Sequence, residues 1–257
     1  MNGTVYLVGA GPGAPDLLTL RAARLLAEAD IVFHDALVHP DTVALAVNAE
    51  KVAVGKRCGR HSTVQQFINK RLVDAARKHA IVVRLKGGDP MLFGRAQEEI
   101  AALEAEGIRC EVVPGVTAAL AAAALLKTSL TQRGIARSVT FATPRVGAGE
   151  YASEWADGLK ASDAGAIYMG VGEASAIAAT LLAAGKPPGL PVAVVESASL
   201  PEQRIRYTTL SALPRLAAVE ITGPALILLG PQFLARASAD ADESAPQSRG
   251  AVRHATG

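Results

Sequence analysis

The 257-residue chain has only two cysteines, Cys58 and Cys110, and neither stands beside another ligand at metal spacing. That argues against a disulfide framework, a structural zinc or any other metal site, and it fits a protein kept in a reducing cytoplasm. An excess of one charge is also lacking, since 26 Lys and Arg stand against 24 Asp and Glu for a formal charge of +2. No broad field for nucleic acid results, so any cationic surface must be local. No basic, long apolar leader precedes the first apolar run, Val5-Tyr6-Leu7-Val8, and the apolar stretch Val116 to Leu126 is too short to span a bilayer. The expectation is a soluble, unexported protein with no nucleic-acid or membrane partner.

Apolar residues make up half of the chain, enough for a substantial core. Short β-branched runs recur at Thr4–Val8, Ile31–His34, Val52–Val54, Ile81–Leu85 and Glu111–Val113. Helical patterns lie between several of them, near Val64–Lys78 and Gln97–Glu106. A helix should also follow the first run, with Asp16 able to cap it and Leu18, Ala22, Leu25 and Ala29 on one face. This alternation is α/β wiring with a largely parallel sheet.

After Pro114-Gly115 an Ala-rich helix, Val116 to Leu126, leads into strands near Ser138–Ala142, Ala166–Met169, Val192–Glu196, Arg204–Thr208 and Ala225–Leu229. The few residues around Pro201 leave no room for a crossover helix, so this second sheet should hold an antiparallel pair and be mixed. The organisation predicted is an N-terminal α/β domain over 1–115, a C-terminal α/β domain over 116–236 and a disordered tail over 237–257.

Six strand-end segments carry the candidate chemistry. Gly9-Ala10-Gly11-Pro12-Gly13 follows a strand and lets a ligand approach the backbone. It is a poor dinucleotide fingerprint, because Pro12 removes an amide that would cradle a pyrophosphate. His34-Asp35 ends the second strand, where Asp35 either faces a ligand or caps a turn. Gly55-Lys56-Arg57-Cys58-Gly59-Arg60-His61 gathers three permanent cations and suits carboxylates, or else is a solvated basic loop. Lys86-Gly87-Gly88-Asp89-Pro90 puts a flexible pair and an acid at a third strand end, before Arg95 and the glutamates Glu98 and Glu99, which also complement a helix dipole. Pro114-Gly115-Val116-Thr117-Ala118 and Tyr168-Met169-Gly170 lie at strand ends of the two halves and would face each other across a cleft, although a strand Met is more often packing.

In this order these blocks, with Val83-Arg84-Leu85-Lys86-Gly87-Gly88-Asp89-Pro90, Pro201-Glu202-Gln203-Arg204 and Pro224-Ala225-Leu226, resemble the tetrapyrrole methylase family over roughly residues 4–232. The resemblance is strongest to members that methylate uroporphyrinogen III. It implies the class III methyltransferase fold, S-adenosylmethionine as donor with S-adenosylhomocysteine released, precorrin-2 as product for sirohaem or cobalamin biosynthesis, and usually a homodimer. It also implies donor contacts at Pro12, Gly87, Gly88, Asp89, Leu92, Thr117, Ala118, Met169, Ala198 and Ala225. Asp35 corresponds to the proton acceptor, Lys56 to the proton donor, and Arg95 and Glu98 to positions that face the tetrapyrrole. Arg57 and Arg133 are candidate carboxylate anchors, and Arg145 is a further cation that could neutralise a substrate carboxylate.

The sequence departs from the family pattern on the substrate side. His34 stands where Tyr is usual, Ala96-Gln97 where Gly-Gly is, Gln132 where His is, and Thr143-Pro144-Arg145 where Thr-Gly-His is. A methylase of another tetrapyrrole intermediate, or a silent donor-binding relative, is the alternative.

Overall fold

The computed structural model describes residues 2–54, 61–147 and 154–235. Lys56, Arg57 and Arg60, and the tail expected over 237–257, lie outside the described residues.

Residues 4–113 supply β1 (Thr4–Gly9), α1 (Leu20–Glu28), β2 (Ile31–His34), α2 (Pro40–Ala44), β3 (Glu50–Ala53), α3 (His61–Ala76), β4 (Ile81–Lys86), α4 (Ala96–Ala105) and β5 (Arg109–Val113). All pairings among these strands are parallel, in the order β3-β2-β4-β1-β5. Side chains alternate between two covered faces. Val5, Leu7, Phe33 and Val82 pack with Ile68 and Leu72 of α3 and Leu103 of α4. Val8, Val32, Val83 and Leu85 pack with Ala22, Leu25 and Leu26 of α1 and Val43 of α2. Each such leucine contributes about 1.5–3 kcal/mol by leaving water.

The expected Asp16 cap is corrected. Pro15–Leu17 forms a separate 3-10 turn, and Thr19 caps α1 by accepting the Ala22 N–H at 3.1 Å. Pro15 at the first position of that turn brings Asp16 into it, three residues too early for the helix.

The second half contains α5 (Ala118–Leu125), β6 (Val139–Ala142), α6 (Trp155–Ala161), β7 (Ala164–Tyr168), α7 (Ala174–Ala183), β8 (Pro191–Glu196), β9 (Arg204–Thr209) and β10 (Ala225–Leu229). The sheet runs β6-β7-β10-β8-β9, with β6 and β7 parallel and every other pair antiparallel, so it is mixed as expected. Its faces are covered by α6, α7 and a 3-10 segment, Leu210–Ala218, on one side, and by α5 with Phe233 on the other. The strand expected to reach Met169 stops at Tyr168, because Met169 turns left-handed at φ 56°. Among the described residues no helix is long and apolar enough to cross a membrane.

Candidate active site

Strand order fixes where a ligand can sit. From β1 the chain crosses to β2 through α1 on one face, and from the adjacent β4 it crosses to β5 through α4 on the other. The loops after β1 and β4 therefore part in opposite directions, and the crevice between them at the carboxyl edge is the switch point where open α/β sheets bind ligands.

Here those loops meet through backbone. Gly88 N–H donates to Gly11 O at 2.7 Å and Gly11 N–H to Gly88 O at 3.2 Å. A Cβ on Gly9 would stand 2.6 Å from the Gly115 Cα and 2.7 Å from the Gly88 carbonyl, so the loop after β5 is pressed against both. Asp89 fastens the assembly, with one oxygen accepting Gly115 N–H at 3.0 Å and the other Met91 N–H at 2.8 Å. Pro12, Gly87, Gly88, Asp89 and Thr117 are thus brought together, with the Thr117 Cα within 4.0 Å of a Cβ built on Gly88.

The second half closes on this edge. The Tyr168 hydroxyl lies 2.7 Å from Thr117 Oγ1 and accepts the Ala119 N–H at 3.1 Å, while its ring packs against Phe93 with centroids 5.1 Å apart. Burial pushes the Tyr168 hydroxyl above its ordinary value, and the bonds to Thr117 and Ala119 pull it partly back. On the far side of the first loop, Ala14 N–H donates to Ser199 Oγ at 3.1 Å. Five residues around this cleft hold left-handed backbones without being glycine: Phe93 (φ 52°), Arg95 (φ 55°), Met169 (φ 56°), Ser197 (φ 49°) and Ser199 (φ 74°). Each costs on the order of 1–3 kcal/mol, and such strain concentrates at functional sites.

Beside Tyr168 a hollow of about 470 Å³ is lined by Met169, Val171, Gly172, Leu216, Gly223 and Ala225. Its volume suits a nucleoside, and its wall offers both polar and apolar surface. Met169 is 46% exposed there, so the side chain is not core packing. Ala118 opens α5 next to Thr117, and Leu92 donates its N–H to the Asp89 carbonyl at 3.3 Å. Ala198 sits between the two left-handed serines but is 8% exposed, packed in the cluster that contains Ala119.

Asp35 follows β2 at the same edge. Its Oδ1 accepts the Arg84 Nη2 at 2.5 Å, and its side chain keeps 31% of its surface. Arg84 in turn donates Nε to Glu99 at 3.0 Å, and Lys86 Nζ lies 3.0 and 3.1 Å from the two Glu99 oxygens. Burial acts to lower the Arg84 guanidinium, but Asp35 and Glu99 overcome it, and Arg84 ends above its ordinary value. Lys86 is held below its own by burial and by the Arg84 charge, against the pull of Glu99.

Arg95 and Glu98 form an exposed two-point pair at 2.6 and 2.7 Å, at the start of α4. Arg145 is exposed in the loop after β6, whose Pro144 stands 3.6 Å from a Cβ built on Gly170, so it belongs to the Met169 side. Arg133 is exposed in a separate turn closed by Gln132 and Ala136. Among the described residues no hydrogen bond or ion pair joins Arg133 to the Asp35 group.

The buried partners Arg84, Lys86 and Glu99, and the Tyr168 hydroxyl bridge, are the features that motif reading passed over. Position could have found Glu99, because Ala96, Glu99 and Leu103 share the spacing of a helix's buried stripe.

Known proteins bear on this geometry. The family model of tetrapyrrole (corrin/porphyrin) methylases matches residues 4–214. A siroheme synthase of Chromobacterium violaceum is 46% identical over 230 residues, 89% of this chain and 49% of that protein. The chain spans about half the length of the curated relatives it matches. A crystal structure of a uroporphyrin-III C-methyl transferase from Thermus thermophilus, complexed with S-adenyl homocysteine, is 40% identical with a TM-score of 0.79, covering 91% of this chain and all of that one. A cobalt precorrin-4 methyltransferase structure is 31% identical with a TM-score of 0.77, covering 88% of this chain and 94% of its own. With the family model spanning most of the residues that build both sheets and the crevice between their loops, the chain belongs to the tetrapyrrole (corrin/porphyrin) methylases.

Proposed function

We propose that this chain transfers methyl groups from S-adenosylmethionine to two pyrrole carbons of uroporphyrinogen III, giving precorrin-2 for sirohaem- or cobalamin-type biosynthesis. The observation that carries the reading is the meeting of the Gly11, Gly88 and Gly115 loops with Thr117, Tyr168 and Met169 around one cleft, with a nucleoside-sized hollow on one side and Asp35 on the other. The 40% identity to a whole transferase crystallised with the demethylated donor supports the same choice.

The donor, when bound, supplies a methyl group on a positive sulfonium, which an electron-rich pyrrole carbon can take directly. The new C–C bond forms as the S–C bond breaks, and the ring inherits the positive charge. Holding the reacting atoms near contact is worth about 7–11 kcal/mol at best. In this reading the Gly88 and Gly115 backbones, Thr117 and Met169 do so.

Loss of a ring proton restores neutrality. Asp35 is the acceptor in this reading, directly or through water, and such assistance adds about 10²- to 10⁴-fold. Arg95 faces the tetrapyrrole from the start of α4, paired with Glu98. Arg145, and from the sequence alone Lys56 and Arg57, are the cations this reading assigns to the substrate's carboxylates, and binding should weaken with salt. Exposed Leu120 and Phe141 border an apolar hollow of about 490 Å³ and support a homodimer, checked by light scattering.

Anaerobic incubation with both substrates, followed by mass spectrometry, tests the reaction. A gain of two methyl groups is expected, and Asp35→Ala or Arg95→Ala should slow turnover more than it weakens donor binding. No gain while the donor binds normally removes this substrate. The changes at His34, Ala96-Gln97, Gln132 and Pro144, with the 31% identity to a cobalt precorrin-4 enzyme, then favour a later tetrapyrrole intermediate.

A further inference from the structure

The side chains behind Asp35 are not used by the reaction as proposed, yet they are costly to keep. β4 lies between β2 and β1, and strands in such covered parallel sheets are ordinarily apolar throughout. Arg84 and Lys86 break that rule on the face that also carries Val82, with side-chain exposures of 3% and 4%, and Glu99 comes down from α4 with none. An apolar set of the same volume is often as stable as a buried ion network, so stability does not account for these residues.

The arrangement is directional. Arg84 gives Nε to Glu99 and Nη1 to the carbonyls of Leu85 at 3.2 Å and Phe33 at 3.5 Å, which leaves Nη2 aimed at Asp35. Because guanidinium is planar, fixing Nε and Nη1 fixes the direction of Nη2. Gln65 from α3 steadies Glu99 from behind with a bond of 3.2 Å, and Lys86 balances the group so that two cations face two carboxylates. Asp35 is the one member with substantial solvent exposure. Among the described residues, His34 has its Nδ1 3.3 Å from the Asp35 carbonyl oxygen rather than on the carboxylate.

We propose that Arg84 and Glu99 are positioning residues of the methylation reaction: Glu99 locks the Arg84 fork, and the fork holds the Asp35 carboxylate in the orientation that meets the substrate. This rests on the reading of Asp35 as proton acceptor given above.

A double-mutant cycle on the full chain tests it. Arg84→Gln should lower kcat about tenfold or more while the donor Kd by calorimetry stays within about twofold. In an Asp35→Asn background the same change should cost less than about twofold, since the residue through which Arg84 acts is already gone. Arg84→Lys keeps the charge without the fork and should recover little of kcat. Equal losses in both backgrounds, or full recovery by Lys, overturn the proposal, and so does an Asp35→Asn variant with undiminished kcat.

Glu99→Gln serves if Arg84→Gln does not fold, with the same pattern expected in the cycle. Its crystal structure reads the point without turnover: Asp35 should occupy more than one rotamer, and one unchanged rotamer overturns the inference. A native chain that methylates no tetrapyrrole defeats the proposed function instead, and the Asp35 rotamers still decide the positioning.

Discussion

Tyr168 and Thr117 share a hydrogen bond of 2.7 Å that ties the end of a second-sheet strand to the residue just before α5. The same phenolic oxygen accepts the Ala119 N–H, one of the amides at a helix start that has no partner within the helix. Tyr168→Phe removes both bonds and leaves that amide unsatisfied beside a half-buried ring. Urea denaturation should show a loss of about 1–3 kcal/mol. Donor affinity should fall as well, because Met169 is the next residue; unchanged affinity would separate the bridge from donor binding.

Gly9 and Gly115 touch backbone to backbone. A methyl on Gly115 would stand 2.8 Å from the Gly9 Cα, where neither loop has a flexible side chain to move aside. Gly115→Ala should destabilise by about 1–3 kcal/mol through overpacking and weaken donor binding by spreading the loops. Gly107→Ala is a control with open space around it but a positive φ of 63°, so it should cost stability without touching donor affinity. Differential scanning calorimetry and donor titration read the two effects.

Glu196 gives a pH signature. Burial acts to raise its carboxyl, but the N–H groups of Gly223 and Thr222 at 2.9 Å each, with Arg206, outweigh it and hold the group below its ordinary value of 4.5. A carboxyl lowered by folding adds stability that is complete above its unfolded value and lost as pH falls through the folded one. Unfolding free energy should therefore drop on the acid side of about pH 4.5, and Glu196→Gln should flatten that drop. An identical acid limb in the variant would refute the assignment.

Cys110 should be inert. Burial first, and then the charges of Glu99, Glu104 and Glu111, push its thiol up to about 11. At pH 8 its thiolate fraction is about one in a thousand, so native alkylation at this position should be slow and should become rapid only on unfolding. Peptide mapping after timed iodoacetamide treatment measures it.

The strands were legible because β-branched runs bounded by Gly, Pro and Asp carry their own signal, and each expected strand overlaps an observed one within a few residues. The mixed second sheet followed from the short span around Pro201. Alanine-rich α7 escaped notice, since residues 174–183 show almost no polar face from which to read a helical period. Thr19 lost to Asp16 as a cap because acidic side chain and proline together looked like a helix start.

At the site, the glycine loops and Asp35 were visible as strand-end motifs. What they do to one another was not, since only tertiary packing tells that Asp89 fastens Gly115 and Met91. Glu98 and Glu99 look alike in sequence. One turns outward to Arg95 and the other inward to Arg84 and Lys86, and the helix phase decides which.

The strand order β3-β2-β4-β1-β5 has a bearing on how the chain is made. β1 leaves the ribosome before the other strands of its sheet, but both of its neighbours come late: Thr4 pairs with Ile81 on one side and Arg109 on the other. Until then Val5, Leu7 and Val8 have no sheet to join, and the nascent polypeptide carries an unsatisfied apolar ribbon through much of its synthesis. Translation pauses placed before residue 81 would lengthen that exposure and raise the demand for chaperones, whereas pauses after residue 113 would not.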